Sequence, residues 1–136
     1  MNYARISGTG SCLPGEPVTN AALIAAHGLA SSDEWIIERT GIHTRRFAGP
    51  GETTSTLSVD AARRALASAG WDPSAVDLLI VATCTPDRPL PSTAAFVQAK
   101  LGMSCAAFDL NAACAGFVYG LSVGSAQIRA GLTNQR

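Results

Sequence analysis

From Ala112 to Ala126 the chain carries no charged side chain, and Gly116, Gly120 and Gly124 recur at every fourth position. At helical pitch these glycines fall on one stripe. Each costs a helix about 1 kcal/mol relative to alanine. A helix with such a stripe and no charged face is predicted to be buried all round, with a neighbouring backbone drawn close. The fold must therefore supply layers on several sides of one apolar helix. Few other elements of the chain are available for that, so part of the cover is expected from outside it.

The remaining segments read as an α/β layered protein. "VDLLIVATC" and "CAAFDLN" are apolar without alternation, the pattern of strands covered on both faces of a parallel sheet. "STLSVDAARRALASAG" is an amphipathic helix with Leu57, Ala61, Ala65 and Ala69 on one stripe and Gly70 as its stop. "STAAFVQAKLG" is a helix with Ser92 as its cap, and "PVTNAALIAAHGLA" is a helix capped near Thr19 or Asn20 and broken at Gly28. In "SSDEWIIERTGI", Ser31 and Glu34 form a capping-box pattern, Asp33 adds charge at the positive end, and Gly41 closes the helix. "YARISGTG" is expected to be a short strand. The "GTGSCL" that follows departs from a dinucleotide fingerprint, since Leu13 replaces the third glycine and Pro14 comes next.

Composition sets the limits of function. Among 136 residues 47% are hydrophobic and 15% charged, a balance that excludes disorder and suits one domain. The formal net charge is +0 and the basic residues are scattered, so neither nucleic acid nor an anionic membrane is an expected partner. The first residues lack a signal-peptide core, and the longest strongly apolar run is too short to span a bilayer, which points to the cytoplasm. Cys12, Cys84, Cys105 and Cys114 form no CxxC pair, and neither His27 nor His43 stands at metal-ligand spacing from them. Reduced thiols without zinc are expected.

Cys114 lies where the second strand gives way to the uncharged helix, among Ala112, Ala113, Ala115 and Gly116. A helix N-terminus favours a thiolate, and small neighbours permit a sharp turn and leave room for a substrate. The backbone N–H of such a nucleophile can also serve a developing oxyanion. The same pattern suits a buried cysteine filling a small space, and both readings stand on these residues alone. His27 and His43 are bases on chemical grounds only, and a base must reach the thiol. The chain does not visibly supply one.

Taken in order, "SGTGSCLP", "SSDEWIIERTGIHTRR", "LLIVATCTPDRPLPSTAAFVQAKLG" and "AFDLNAACAGFVYGLSVG" resemble the β-ketoacyl-acyl-carrier-protein synthase III family of condensing enzymes. The resemblance covers essentially residues 3–133 and implies a thiolase-like layered α/β fold. In that fold a mostly parallel sheet has covering helices and a buried central helix. It identifies residues 1–136 as the first half, ending before the last strands of that half. The second half, with the family's histidine, asparagine and glycine-rich oxyanion loop, would lie elsewhere, on a second polypeptide or segment.

The resemblance makes Cys114 the nucleophile that takes an acyl group from a short acyl-CoA. Malonyl-acyl carrier protein would then decarboxylate and accept that group, with acyl-CoA as substrate and no cofactor. Trp35 and Arg39 match positions where an indole stacks on adenine and an arginine holds the nucleotide; Ser31 matches a nearby threonine position. "TPDRPLPST" corresponds to a loop meeting the partner in a homodimer, and Leu90 stands where an aromatic residue often reaches the partner's acyl pocket. The alternatives are an inert fragment or interaction partner, and a polyketide-priming relative. A thiolase or hydroxymethylglutaryl-CoA synthase is disfavoured by "DEWI..RTGI".

Overall fold

The computed structural model describes residues 3–133. The chain divides into two compact units, one formed by Met1–Cys12 with Thr53–Arg136 and the other by Leu13–Glu52.

The smaller unit contains strand β1 (Val18–Thr19), helix α1 (Asn20–His27), helix α2 (Asp33–Thr40) and strand β2 (Thr44–Arg45). β1 and β2 form a two-residue antiparallel ladder, with Val18 opposite Arg45 and Thr19 opposite Thr44. Thr19 caps α1 by accepting from the Ala22 N–H at 3.1 Å, and Gly28 closes it in the left-handed region, where glycine carries no Cβ penalty. The start of α2 differs from expectation. Ser32, not Ser31, is the cap, with its hydroxyl accepting from the Trp35 N–H at 3.2 Å. A cap hydroxyl must reach the third helical N–H from extended backbone, and Ser32 has that backbone at φ −131°, ψ 162°.

The larger unit contains helix α3 (Thr54–Ala69), strand β3 (Leu78–Ala82), helix α4 (Thr93–Leu101), strand β4 (Ala106–Leu110) and helix α5 (Gly116–Arg129). β3 and β4 pair in parallel, from Leu78 opposite Ala106 to Ala82 opposite Leu110, and α4 makes the crossover between them. Strand alternation sorts the side chains into two faces. Leu79, Val81 and Ala107 meet α3 and α4 in a core with Val59, Ala94, Val97 and Leu101, of which Ala94 and Val97 are almost wholly enclosed. Leu78, Ile80 and Ala82 face α5 instead and line a groove with it.

The expected first strand is absent, since residues 3–14 join no ladder. Part of that segment instead lies against α3. A Cβ at Gly8 would stand 2.5 Å from the Ala65 carbonyl oxygen and 2.6 Å from the Ala69 nitrogen, and one at Gly10 would collide with Ala61 and Ala65 backbone. The alanine stripe of α3 thus packs against glycine backbone, a separation no side chain tolerates. Arg64 adds a hydrogen bond to the Ser11 carbonyl at 2.6 Å.

Among the described residues α5 is covered on one side only, in line with the expectation that part of its cover lies outside the chain. Phe117 is 70% exposed, Val118 63% and Tyr119 56%. Of its glycines, Gly116 lies against Ala82 (3.4 Å from an added Cβ) and Gly120 against Ile80 (3.9 Å), while nothing lies within 4 Å at Gly124. The two-stranded ladder lies against the side of the helix bearing Gly116 and Gly120, and Phe117, Val118 and Tyr119 stay largely exposed.

Candidate functional site

The larger unit brings the cysteine junction to the carboxyl end of its parallel strands, where α/β sheets collect their reactive groups. The ends of β3 and β4 are held together by the Ala82–Leu110 pair and by the Thr83 N–H donating to the Leu110 carbonyl at 3.1 Å. Asp109, one residue before that end, points to the core face. Its two carboxylate oxygens accept from the Thr93 and Ala94 N–H groups, each at 2.7 Å. A strand carboxylate therefore caps the first turn of α4 and ties β4 to it.

Beyond Leu110 the chain turns sharply. Ala112 has φ −145° and ψ 33°, and Ala113 is left-handed at φ 44°, a conformation costing an alanine about 1–2 kcal/mol. A 3-10 turn, Ala113–Ala115, follows, closed by the Ala115 N–H donating to the Ala112 carbonyl at 3.0 Å, and leads directly into α5. Cys114 is the middle residue of that turn and is exposed. No side chain caps α5, and its first N–H, that of Gly116, donates back to the Ala113 carbonyl, so the positive end of the helix lies beside the thiol. The methyl groups around Cys114 leave the approach open. This is a strained strand-to-helix junction presenting a thiol, which can act as a nucleophile toward an acyl carbon.

The other cysteines differ. Burial pushes the Cys105 thiol up from its ordinary value and the nearby Asp77 charge adds to that shift, offsetting a backbone hydrogen bond. Cys12 is half-buried in an irregular segment, and Cys84 is exposed just past β3.

The expected binding residues fall in both units. On α2, Trp35 and Arg39 lie one turn apart, with the Arg39 guanidinium carbon 5.7 Å from the Trp35 ring centroid; the indole is 54% exposed. Arg39 thus covers one ring face in a cation–π contact. Ser31 lies just before this helix, exposed, its N–H donating to the Leu29 carbonyl at 2.9 Å, and its hydroxyl is not the cap. His27 ends α1 and His43 immediately precedes β2, both exposed in this unit, whereas Cys114 belongs to the larger one.

Leu90, also in the larger unit, is 83% exposed on the loop between β3 and α4. Sequence reasoning missed the network that fastens this loop to α3. Asp87 accepts from the Thr53 hydroxyl and the Ser55 N–H, each at 2.9 Å, and Thr54 donates to the Thr85 carbonyl at 2.7 Å. Lys100 reaches the buried Ser55 hydroxyl at 3.1 Å. Partial burial raises the Asp87 carboxyl, but hydrogen bonds from Ser55 and Thr53 and the Lys100 charge outweigh it and hold the group below the usual carboxylate range. Asp109 was also missed; a lone carboxylate inside an apolar strand run was its signal.

Between α5 and β3 lies a groove of about 360 Å³ walled by Trp71, Ile80, Phe117, Leu121 and Ile128. No helix among the described residues is long and apolar enough to cross a membrane.

Comparison with known proteins gives a consistent set of similarities. The family model for 3-oxoacyl-[acyl-carrier-protein] synthase III matches residues 108–135, a span that includes the cysteine junction and α5. β-Ketoacyl-[acyl-carrier-protein] synthase III of Roseiflexus sp. (strain RS-1) is 55% identical over 131 residues, covering 96% of this chain and 39% of that protein. Among solved structures, 3-oxoacyl-[acyl-carrier-protein] synthase III of Aquifex aeolicus VF5 superposes with a TM-score of 0.87 at 44% identity, covering 93% of this chain and 41% of its own. The priming β-ketosynthase of the R1128 polyketide pathway gives a TM-score of 0.85 at 39% identity, covering 93% and 37%. The chain thus spans about two fifths of the relatives it matches.

Proposed function

This chain belongs to the 3-oxoacyl-[acyl-carrier-protein] synthase III family and has its thiolase-like α/β fold, and on that premise we propose that Cys114 is the acyl-accepting nucleophile of a condensing enzyme. The observation that carries this reading is the exposed thiol on a strained turn between β4 and an uncapped helix. The thiolate attacks the thioester carbonyl of a short acyl-CoA. The sulfur–carbon bond to CoA breaks, CoA leaves as its thiolate, and the acyl group remains on Cys114. Malonyl-acyl carrier protein then loses carbon dioxide, and the resulting carbanion attacks the acyl-enzyme. A β-ketoacyl carrier protein forms and Cys114 is released as thiolate.

In this reading Trp35, Arg39 and Ser31 hold the CoA nucleotide, and the exposed Trp35–Arg39 pair supports that role. Acyl-CoA enters as substrate and no cofactor is needed. The decarboxylation groups come from the remainder of the enzyme, and Leu90 contributes to the acyl pocket of a partner copy in a cytoplasmic homodimer. A polyketide-priming role is the second reading, favoured by the likeness to the R1128 enzyme.

The test is the intact mass of the protein before and after incubation with a short acyl-CoA. The expected result is one added acyl group, lost in Cys114→Ala and kept in Cys12→Ala. No uptake, or equal losses in the two variants, would overturn the assignment of Cys114.

A further inference from the structure

α2 holds few apolar anchors. None of its residues is fully buried, and the two that matter most for the nucleotide reading, Trp35 and Arg39, are exposed. Its position therefore depends on polar ties, and two of them converge on one side chain. Asn20 is 0% exposed at the first residue of α1. Its amide nitrogen donates to the Asp33 carboxylate at 2.7 Å and to the Ile42 carbonyl at 2.8 Å. Asp33 is the first residue of α2, and Ile42 is the residue after its closing Gly41. One amide thus grips the helix at both ends.

The donors define this role. Both protons of the Asn20 amide are used, while its carbonyl oxygen is buried without a hydrogen-bond partner among the described residues. Aspartate here would offer no donor and would set a second negative charge beside Asp33. Leucine would have the right bulk and no donor at all. The chain past α2 is tied in as well: the Thr40 hydroxyl donates to the Ile36 carbonyl at 2.6 Å and accepts from the Ile42 N–H at 3.1 Å. The Ile42 carbonyl that meets Asn20 is therefore itself registered to the last turn of the helix.

We propose that Asn20 is the positioning residue of the nucleotide-binding helix, clamping both ends of α2 so that Trp35 and Arg39 are presented in one geometry. This rests on the reading of α2 as the coenzyme A contact. Ligand affinity is steeply sensitive to such placement, because ordering a loose helix must be supplied from the binding energy.

The experiment uses the full chain in a Trp71→Phe background, which leaves Trp35 as the reporting indole, with coenzyme A as the probe. Quenching of Trp35 fluorescence gives the affinity, and hydrogen exchange gives the local opening of α2. Asn20→Leu is expected to weaken coenzyme A about tenfold, equivalent to ~1.4 kcal/mol. It is also expected to speed exchange across α2 while leaving α3 and α4 unchanged. Asp33→Asn keeps the bulk and a neutral acceptor, and is expected to lose about two- to threefold, since a neutral hydrogen bond is roughly half as strong. Unchanged affinity in Asn20→Leu overturns the inference, as does faster exchange throughout the chain. No response to coenzyme A in the parent overturns the nucleotide reading of α2 itself, and with it the need for a clamp.

Discussion

The tie between Asp109 and α4 has a cost of removal that can be worked out. Its carboxylate accepts from the Thr93 and Ala94 N–H groups at 2.7 Å each, and both residues are 0% exposed. A hydrogen bond to a charged group contributes about 1.5–3 kcal/mol, but part of that is recovered by relaxation of a helix end. Asp109→Ala removes both acceptors and leaves two enclosed donors unpaired. The expected destabilisation is about 2–4 kcal/mol, a large share of the ~5–15 kcal/mol of an ordinary domain. Asp109→Asn retains one carbonyl acceptor and turns an NH₂ group toward the second N–H, so it is expected to lose about half as much. Urea unfolding followed by far-UV dichroism reads this directly. With a slope of about 1–3 kcal/mol per molar, the alanine variant is expected to lower the midpoint by ~1–2 M. A midpoint for Asp109→Ala within about 0.3 M of the parent would refute the argument that this carboxylate holds β4 to α4. A parent-like Asp109→Asn would show that charge and the second acceptor contribute nothing.

Other outcomes follow from the same geometry. Gly8→Ala drives a methyl into α3 backbone at 2.5 Å and is expected to cost about 1–3 kcal/mol in the same urea assay. Gly124→Ala meets nothing within 4 Å and should instead stabilise the chain by up to ~1 kcal/mol; a loss there would mean that a neighbour presses on the stripe. Because the Asp87 carboxyl is held below its ordinary value in the fold, it adds stability above about pH 4 that disappears as pH falls through its lowered value. Asp87→Asn should therefore flatten the acid limb of a stability–pH curve, and an unchanged limb would count against the network around Ser55. Trp35→Ala and Arg39→Ala are each expected to weaken coenzyme A binding several-fold by calorimetry, with the double variant falling short of the sum because the two side chains touch.

Much of the architecture was legible because it is written in local chemistry. Thr19 and Ser92 at helix starts and Gly28, Gly41 and Gly70 at helix ends act within a few residues of themselves, and each stands where it was expected. The parallel pair came from two apolar runs, and the cysteine junction from the switch between strand and helix patterns. Ser32 displaced Ser31 as a cap because adjacent serines differ only in backbone conformation, which composition does not record.

What remained hidden acts across the chain. Asn20 looked like a helix cap and is a buried clamp on Asp33 and Ile42; Asp109 looked like a strand residue and caps a helix sixteen positions before it. Neither pairing has a short-range pattern, since hydrogen bonds between distant elements exist only once packing has chosen neighbours. The same holds for the corrected first strand and for the open flank of α5. Whether "YARISGTG" becomes a strand depends on a ladder partner, and whether an apolar helix is enclosed depends on what lies beside it. The sequence by itself determined the helices, the two parallel strands and which thiol stands at the turn, because propensity, capping and periodicity are local. Tertiary structure decided which polar groups are satisfied and which face of α5 stays open, because burial belongs to the assembled layers and to no residue alone.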